Sequence, residues 1–465
     1  MSIYKPCDIR GNAEDELDAS LYRIWGRALG ERLPAGAPFV IGGDVRRSTP
    51  AFLDACIEGL INAGMRVRNL GTVPTPMVYF ARRHTGAAGC AIVTASHSPP
   101  DVNGLKWMIG DRPPDEKEVM ALERVVESGR PTDRDRSMGE RMDVDIDTPY
   151  VTWLQDSFAD LKDAATIHRV VIDPGGGTWS RRALDFSRRV FGDLEFAAIH
   201  DEEDGQFTRR HPDSARPAHL NRLVDRVLED KADMGAAFDA DGDRISFVDN
   251  EGQVLTPEQA TIILLRSFAD EWSGRHFIHD VKFSDHVPMA GRGLGARPLA
   301  QRSGHAFIRS SMMDQEALFG AEISGHYFYE ALDGGDDALF SLYLMIRFLG
   351  QCGRPLAYLR RSCPDVFMTS DLRLAVPPHE QDDWIAAIRS AFDDHPQSFV
   401  DGVRINFDEG WTLVRKSVTE AKLTFRFEAG SDAELKHLVS RFSERVPTLG
   451  PALLHQIYAE RPSGT

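Results

Sequence analysis

One local grammar recurs along most of this chain: a short apolar run, a turn rich in glycine or proline, then a helix pattern. Phe39-Val40-Ile41 runs into Gly42–Pro50, and a helix through Phe52, Cys56, Leu60 and Ile61 follows, its start expected to be capped by Ser48 or Thr49. Met65–Leu70 reads as the next strand, with Met65 and Val67 on one face, and Gly71–Pro76 launches another helix. Ala88–Val93 reads as a buried strand, and Val170-Val171-Ile172 leads into the glycine turn Asp173–Thr178. A further strand–helix segment runs from near Val254 to about Pro364, with helices expected over Glu258–Phe268 and Ala338–Phe348. Such alternation specifies α/β domains, and its recurrence suggests a weak internal repeat. From Asp365 the texture changes. Leu372–Val376, Val403–Phe407 and Leu423–Phe427 alternate apolar and polar residues, with amphipathic helices over Gln381–Phe392 and Asp432–Phe442. That is a smaller α+β domain whose sheet is expected to be open on one face.

With 465 residues, at about 100–200 residues per domain, the chain has room for three or four domains. The polar stretch 129–146 reads as a linker or exposed loop, so boundaries are expected at 1–146, 147–252, 253–364 and 365–465. A net charge of −17 argues against nucleic acid and anionic membranes as partners, while leaving room for a local basic pocket. No apolar run reaches membrane-spanning length and no secretory leader is evident, so a cytoplasmic protein is expected. Its five scattered cysteines suit reduced thiols better than a disulfide framework.

Four stretches carry candidate chemistry. Thr94-Ala95-Ser96-His97-Ser98-Pro99-Pro100 presents a Ser and a His on a stiff turn at a strand end, although these are also ordinary turn residues. Asp239-Ala240-Asp241-Gly242-Asp243-Arg244 is the sharpest signal. If the segment is extended, alternate carboxylates converge, and such crowding calls for a cation. Hard oxygen ligands suit Mg²⁺. An EF-hand fails because Arg244 and Asn250 stand where Gly and Glu are required; a solvated acidic turn is the remaining alternative. Glu322, Ser324 and His326, alternating in GAEISGH, suit sugar hydroxyls or, equally, a core edge. Arg415, Ser417 and Thr419 alternate in a stretch that suits phosphate or, equally, a plain strand end. The glycines at 175–177 lack the pattern of a phosphate loop, and close packing of the turn against its helix explains them better.

Taken together these motifs resemble the α-D-phosphohexomutase family over essentially the whole chain. TASHSPP, continued by Asn103-Gly104-Leu105-Lys106, resembles the family's phosphoserine loop TASHNPxxxNGxK; DADGDR matches its metal loop; GAEISGH resembles its sugar loop GExSGH. The stretch DGVRINFDEGWTLVRKSVTE resembles the C-terminal phosphate loop around RxSxTxP, and the N-terminal DIRG and the glycine turn also fit. The resemblance implies three similar α/β domains with mixed sheets and a smaller C-terminal α+β domain closing a central active-site cleft. It implies interconversion of hexose 1-phosphate and hexose 6-phosphate, of mannose or glucose, through a phosphorylated Ser96 and a hexose 1,6-bisphosphate that is both intermediate and activator. One Mg²⁺ per chain would be held by Ser96, Asp239, Asp241 and Asp243. His97, Lys106, Arg10 and Arg244 would surround the transferring phosphoryl group. Lys282, His305, Glu322, Ser324 and His326 would contact the sugar, and Arg415, Ser417 and Thr419 the other phosphate. The partners implied are small sugar phosphates, with the chain a monomer or homodimer. The sequence departs from the family pattern at Ser98, Ala321, Ile323 and Ala421. These leave two alternatives open: a phosphoglucosamine mutase, and a non-catalytic sugar-phosphate-binding relative.

Overall fold

A computed structural model describes residues 2–128, 137–160, 167–417 and 421–459. They form four sheets. The first runs Ile9–Asn12, Val102–Ile109, Gly89–Val93, Pro38–Gly43, Arg66–Thr72, Glu140–Asp143. Its last four strands are parallel neighbours, while Val102–Ile109 runs antiparallel to both of its own. The second sheet runs Ile245–Asp249, Met234–Phe238, Arg169–Asp173, Glu195–Ala198, and the third Arg297–Gln301, His276–Asp280, Phe319–Ala321, Tyr327–Tyr329, Gly335–Asp336. Both mix parallel pairs with antiparallel ones. The fourth is wholly antiparallel, with Leu372–Ala375 and Phe367–Met368 both paired to Lys422–Ala429, followed by Gly410–Lys416, Val403–Phe407 and Gln397–Ser398.

The four candidate loops share one feature of topology, distinct from the strand–turn–helix grammar read in the sequence. Each candidate loop joins two consecutive antiparallel strands of its own sheet: Gly89–Val93 to Val102–Ile109, Met234–Phe238 to Ile245–Asp249, Phe319–Ala321 to Tyr327–Tyr329, and Gly410–Lys416 to Lys422–Ala429. An antiparallel pair allows so short a connection, whereas a parallel pair needs a long crossover.

One continuous apolar core joins the first three units, whereas residues 372–453 have a core of their own. The apolar helix Ala338–Cys352 is central to the shared core. Its Phe340 stacks on Trp153 with ring centroids 5.6 Å apart, and Tyr343 meets Phe191 edge-on at 4.8 Å. The C-terminal unit attaches to the third by a buried polar clasp. Glu428 accepts hydrogen bonds from the Ser284 hydroxyl, the Asp285 amide at 3.0 Å and the Trp411 indole. Beside it Arg404 grips Asp285 with two 2.7 Å contacts and lies 4.2 Å above the Trp411 ring.

Several expectations are corrected. Residues 140–143 of the expected linker form an exposed edge strand on Arg66–Thr72; residues 129–136 lie outside the described ones. Its charged side chains suit an edge, which must discourage further pairing. Ser48 makes no side-chain cap on the helix Thr49–Asn62: its hydroxyl accepts from Asn103, and Thr49 donates to Asp44. The C-terminal sheet is not open on its second face, because Trp411 and Leu413 pack on Val281 of the third unit. The glycine turn packs on the acidic loop rather than on the helix Arg182–Phe191; a side chain at Gly177 would meet the Ala240 carbonyl at 2.6 Å.

A side chain at Gly104 would run into the Ile9 carbonyl and stand 2.9 Å from that of Thr94. Gly104→Ala is therefore expected to cost about 3 kcal/mol, the upper range for overpacking, read from the urea unfolding midpoint.

Candidate active site

Ser96 follows the buried strand Gly89–Val93, and its backbone is left-handed, with φ 51°. A non-glycine residue is held there only by surrounding structure. The Ser96 amide donates to the Thr94 hydroxyl at 2.9 Å. The Ser96 hydroxyl donates to Asp239 Oδ2 at 3.0 Å, joining the first unit to the second, and lies 3.2 Å from His97 Nδ1.

The acidic loop is a turn, not an extended segment, and this corrects the reason for its convergence. Gly242 has φ 78°, and Asp239 Oδ1 accepts from the Gly242 and Arg244 amides at 3.1 and 3.2 Å. Trp179 braces the turn by donating to the Gly242 carbonyl at 2.9 Å. One oxygen from each of Asp239, Asp241 and Asp243 falls within 4.8 Å of the others, all buried. Lys106 Nζ reaches in from its strand to Asp241 at 2.8 Å and Asp243 at 2.6 Å, and Thr75 donates to Asp241 at 2.6 Å. Asp241 Oδ1 remains buried with no hydrogen-bond partner. A buried carboxylate oxygen with no donor calls for a cation, so the residues present fit a divalent metal and a hard-oxygen one such as Mg²⁺.

The sugar-loop candidates meet around His326. Its Nε2 lies 3.1 Å from Asp243, and its Nδ1 lies 3.3 Å from Glu322 and 3.0 Å from the Ser324 hydroxyl. Arg244 pairs by a backbone bridge with His326, which places the acidic and sugar loops side by side. Burial opposes a charge on His326, but the charge and hydrogen bond of Asp243 and the hydrogen bond to Glu322 together lift the imidazole to about 10. Against the cost of burial, the hydrogen bond to His326 and the charge on that ring hold Glu322 below the usual carboxylate range. By contrast burial, then Arg244 and Arg10, hold His97 well below its ordinary value, and burial with Lys106 takes His305 down to about 3. His326 is thus the charged imidazole of the site, and His97 and His305 the neutral ones.

These residues face a cleft of about 720 Å³ to which all four units contribute. Its wall carries Arg10 and His97 from the first, Arg244 from the second, Lys282, His305, Glu322 and His326 from the third, and Arg415 and Ser417 from the fourth. Seven Lys or Arg line it against four Asp or Glu, the reverse of the whole chain's balance. Ser96, Lys106 and the three carboxylates of the acidic loop are buried and are not on that wall; Ser324 lines a second cavity of about 140 Å³. Thr419 lies outside the described residues. Sequence reasoning gave no role to Arg46, Thr75, Trp179 or Asp401. Arg415 does not stand free: its Nε contacts Asp401 at 2.6 Å. Of the departures, Ser98 places its hydroxyl 3.5 Å from Arg10, and Ala321 is buried in its strand.

No helix among the described residues is long and apolar enough to cross a membrane. Family models match the four units in order: phosphoglucomutase/phosphomannomutase α/β/α domain I over residues 2–131, domain II over 149–252, domain III over 256–367, and the C-terminal domain over 372–445. The phosphomannomutase/phosphoglucomutase of Pseudomonas aeruginosa is 31% identical over 457 residues, covering 97% of each chain. The phosphoglucomutase of Neisseria gonorrhoeae is 29% identical over 450 residues, covering 95% of each. Among solved structures, a phosphoglucomutase/phosphomannomutase family protein from Burkholderia thailandensis superposes with a TM-score of 0.85 at 29% identity, covering 97% of each chain. A buried serine bonded to an acidic loop, set behind a basic cleft built by four units in this order, agrees with these matches throughout, and the chain belongs to the phosphoglucomutase/phosphomannomutase family of phosphohexomutase isomerases.

Proposed function

We propose that this chain moves a phosphoryl group between Ser96 and the 1- and 6-hydroxyls of mannose or glucose phosphate, through the hexose 1,6-bisphosphate. The observation that supports this most is the Ser96–Asp239 hydrogen bond of 3.0 Å across two units, beside a basic cleft. Asp239, Asp241 and Asp243, with Ser96, would hold a divalent cation, which would supply charge neutralisation for the transferred group. The chain's own residues do the rest. Lys106 is fixed by two carboxylates and stays protonated: burial opposes its charge, and Asp241 and Asp243 outweigh burial. Arg10 reaches the same region from the strand Ile9–Asn12 and Arg244 from the acidic loop. Phosphoryl transfer asks chiefly for such positioning and charge. His97 and His305, kept neutral, add polar contacts without more charge. Glu322, kept ionised beside His326, accepts hydrogen bonds from sugar hydroxyls, with Ser324 and Lys282 nearby. Arg415 and Ser417, with Thr419, hold the phosphate that does not react. When the bisphosphate turns over in the cleft, those residues receive the other phosphate.

The relatives named above act on mannose and glucose phosphates by name, which favours those sugars over glucosamine phosphate. Side-by-side turnover of mannose 1-, glucose 1- and glucosamine 1-phosphate tests this. The reading expects the first two to be the better substrates, and fastest turnover of the third overturns the preference.

Because Arg415 is already paired with Asp401, an incoming phosphate must share or displace that carboxylate. A lysine cannot grip phosphate and carboxylate with a planar fork. Arg415→Lys is expected to raise KM about tenfold with little change in kcat. Arg415→Ala is expected to lower kcat as well, because the C-terminal unit then loses its hold on the ligand. Steady-state kinetics on both variants checks this, and unchanged kcat/KM in Arg415→Ala removes the residue from the site.

A further inference from the structure

Arg46 is an arginine whose side chain has no exposure to solvent, and nothing in the proposed chemistry uses it. It lies in the loop after the strand Pro38–Gly43, some fifty residues before Ser96, and both terminal nitrogens of its guanidinium donate to backbone carbonyls between 96 and 102. Nη2 donates to the carbonyls of Ser96 at 2.6 Å and Ser98 at 2.7 Å. Nη1 donates to the carbonyls of Val102 at 2.9 Å and Pro99. Nε donates to Asp44 at 3.0 Å, and the plane lies 5.2 Å from the Phe207 ring of the second unit. Asp44 in turn accepts from the Thr94 hydroxyl at 2.7 Å, the same hydroxyl that receives the Ser96 amide. A buried charge is retained only when paired and hydrogen-bonded, and here the partners are the Asp44 carboxylate and four backbone carbonyls, that of Ser96 and three from the residues that follow it.

We infer that Arg46 is the positioning residue for the phosphoryl carrier: it holds the backbone around Ser96 in the left-handed turn that aims its hydroxyl at Asp239. The inference rests on the reading of Ser96 as carrier. Two features make the loop dependent on such a brace. Pro99 and Pro100 have no N–H to donate, so the backbone closes the turn through the Ser98 amide, to the Ala95 carbonyl at 3.1 Å, and leaves the carbonyls of Ser96 and Ser98 to Arg46. The left-handed backbone at Ser96 is unfavourable for a residue with a side chain. Four carbonyls turned onto one planar, five-donor group overcome both. Because the Ser96–His97 peptide is trans, clamping its carbonyl also fixes the His97 N–H to point away from Arg46. Arg46 touches no reacting atom. It acts through distance, and a displacement of about 1 Å at a reacting group costs on the order of 100-fold.

Arg46→Lys keeps the charge beside Asp44 and loses the fork; Arg46→Gln keeps a planar amide and loses the charge. Both are expected to bind substrate with KM within about threefold of the parent while kcat falls about 30- to 100-fold. A role confined to neutralising Asp44 would spare the lysine variant, so kcat within about twofold of the parent in a folded Arg46→Lys overturns the inference, as does a loss expressed mainly in KM. Hydrogen exchange on the parent decides the matter should neither variant fold: amides over 94–104 are expected to exchange as slowly as those of the flanking strands, and rapid exchange there overturns the brace. Intact mass and turnover of the parent separate the two claims. A parent without phosphate on Ser96 and without turnover ends the carrier reading and this inference with it, whereas a phosphorylated, active parent beside a fully active Arg46→Lys ends this inference alone.

Discussion

Ser96→Ala is expected to remove at least about 10⁴-fold of kcat, because a covalent carrier has no substitute in the cleft. The substitution removes one buried hydroxyl and its hydrogen bond to Asp239, worth about 1 kcal/mol. Alanine has the same difficulty with the left-handed backbone as serine, so the fold should survive with a melting temperature a few degrees lower. The check is turnover with added bisphosphate, together with the intact mass of parent and variant. Parent protein should carry one phosphoryl group that the variant lacks. Turnover near that of the parent in Ser96→Ala ends the assignment.

Removing divalent cations is the second large effect. Chelation is expected to lower turnover at least about 100-fold and to leave the protein folded. Folding survives because Lys106, Arg244 and His326 already stand beside the three carboxylates. Catalysis does not survive, because those groups cannot supply the open coordination positions that a phosphoryl oxygen needs. A proton accompanies the cation. In the cation-free protein burial, then Asp243 and Asp241, raise the Asp239 carboxyl well above its ordinary value. The protonated form therefore competes with cation binding, so binding releases protons and tightens as pH rises until Asp239 is ionised. Mg²⁺ titration calorimetry in two buffers of different ionisation enthalpy reads the number of protons released. Full activity in chelator, or binding that weakens as pH rises through the acid range, counts against the site.

The four candidate loops could be picked out in the sequence because each keeps its candidate residues within about a dozen consecutive positions, of which Thr419 lies outside the described residues. What was not legible lies in contacts between distant positions. Thr75 reaches Asp241 across 166 positions, Ser284 reaches Glu428 across 144, and Arg46 reaches Ser96 across 50. None of these residues has a local pattern that names its partner. The Asp44-x-Arg46 pair after a strand was the nearest thing to a signal. The carboxylates of DADGDR were expected to converge by strand alternation, yet they converge through a turn at Gly242. Spacing alone does not separate those two geometries, whereas a glycine in the middle of the run favours the turn. Glu140–Asp143 escaped notice because an exposed edge strand has no buried face and so no apolar alternation to find.

The clasp at Glu428 has a mechanical consequence. Three donors converge on one buried carboxylate, and hydrogen bonds to a charged group are worth about 1.5–3 kcal/mol each. The bonds from Ser284 and Asp285 cross from the third unit, while that from Trp411 lies within the C-terminal unit, so a swing that keeps the crossing bonds pivots on Glu428 rather than slides. Trp411, one of the donors, shares the strand Gly410–Lys416 with Arg415. Four residues of strand make a lever arm of about 13 Å. A rotation of about 10° on that arm carries Arg415 through about 2.3 Å, close to the difference between touching a phosphate and standing one water away. Because the strand is stiff and its anchor is polar and directional, a small turn at the joint becomes a full stroke at the cleft, with no bend in between.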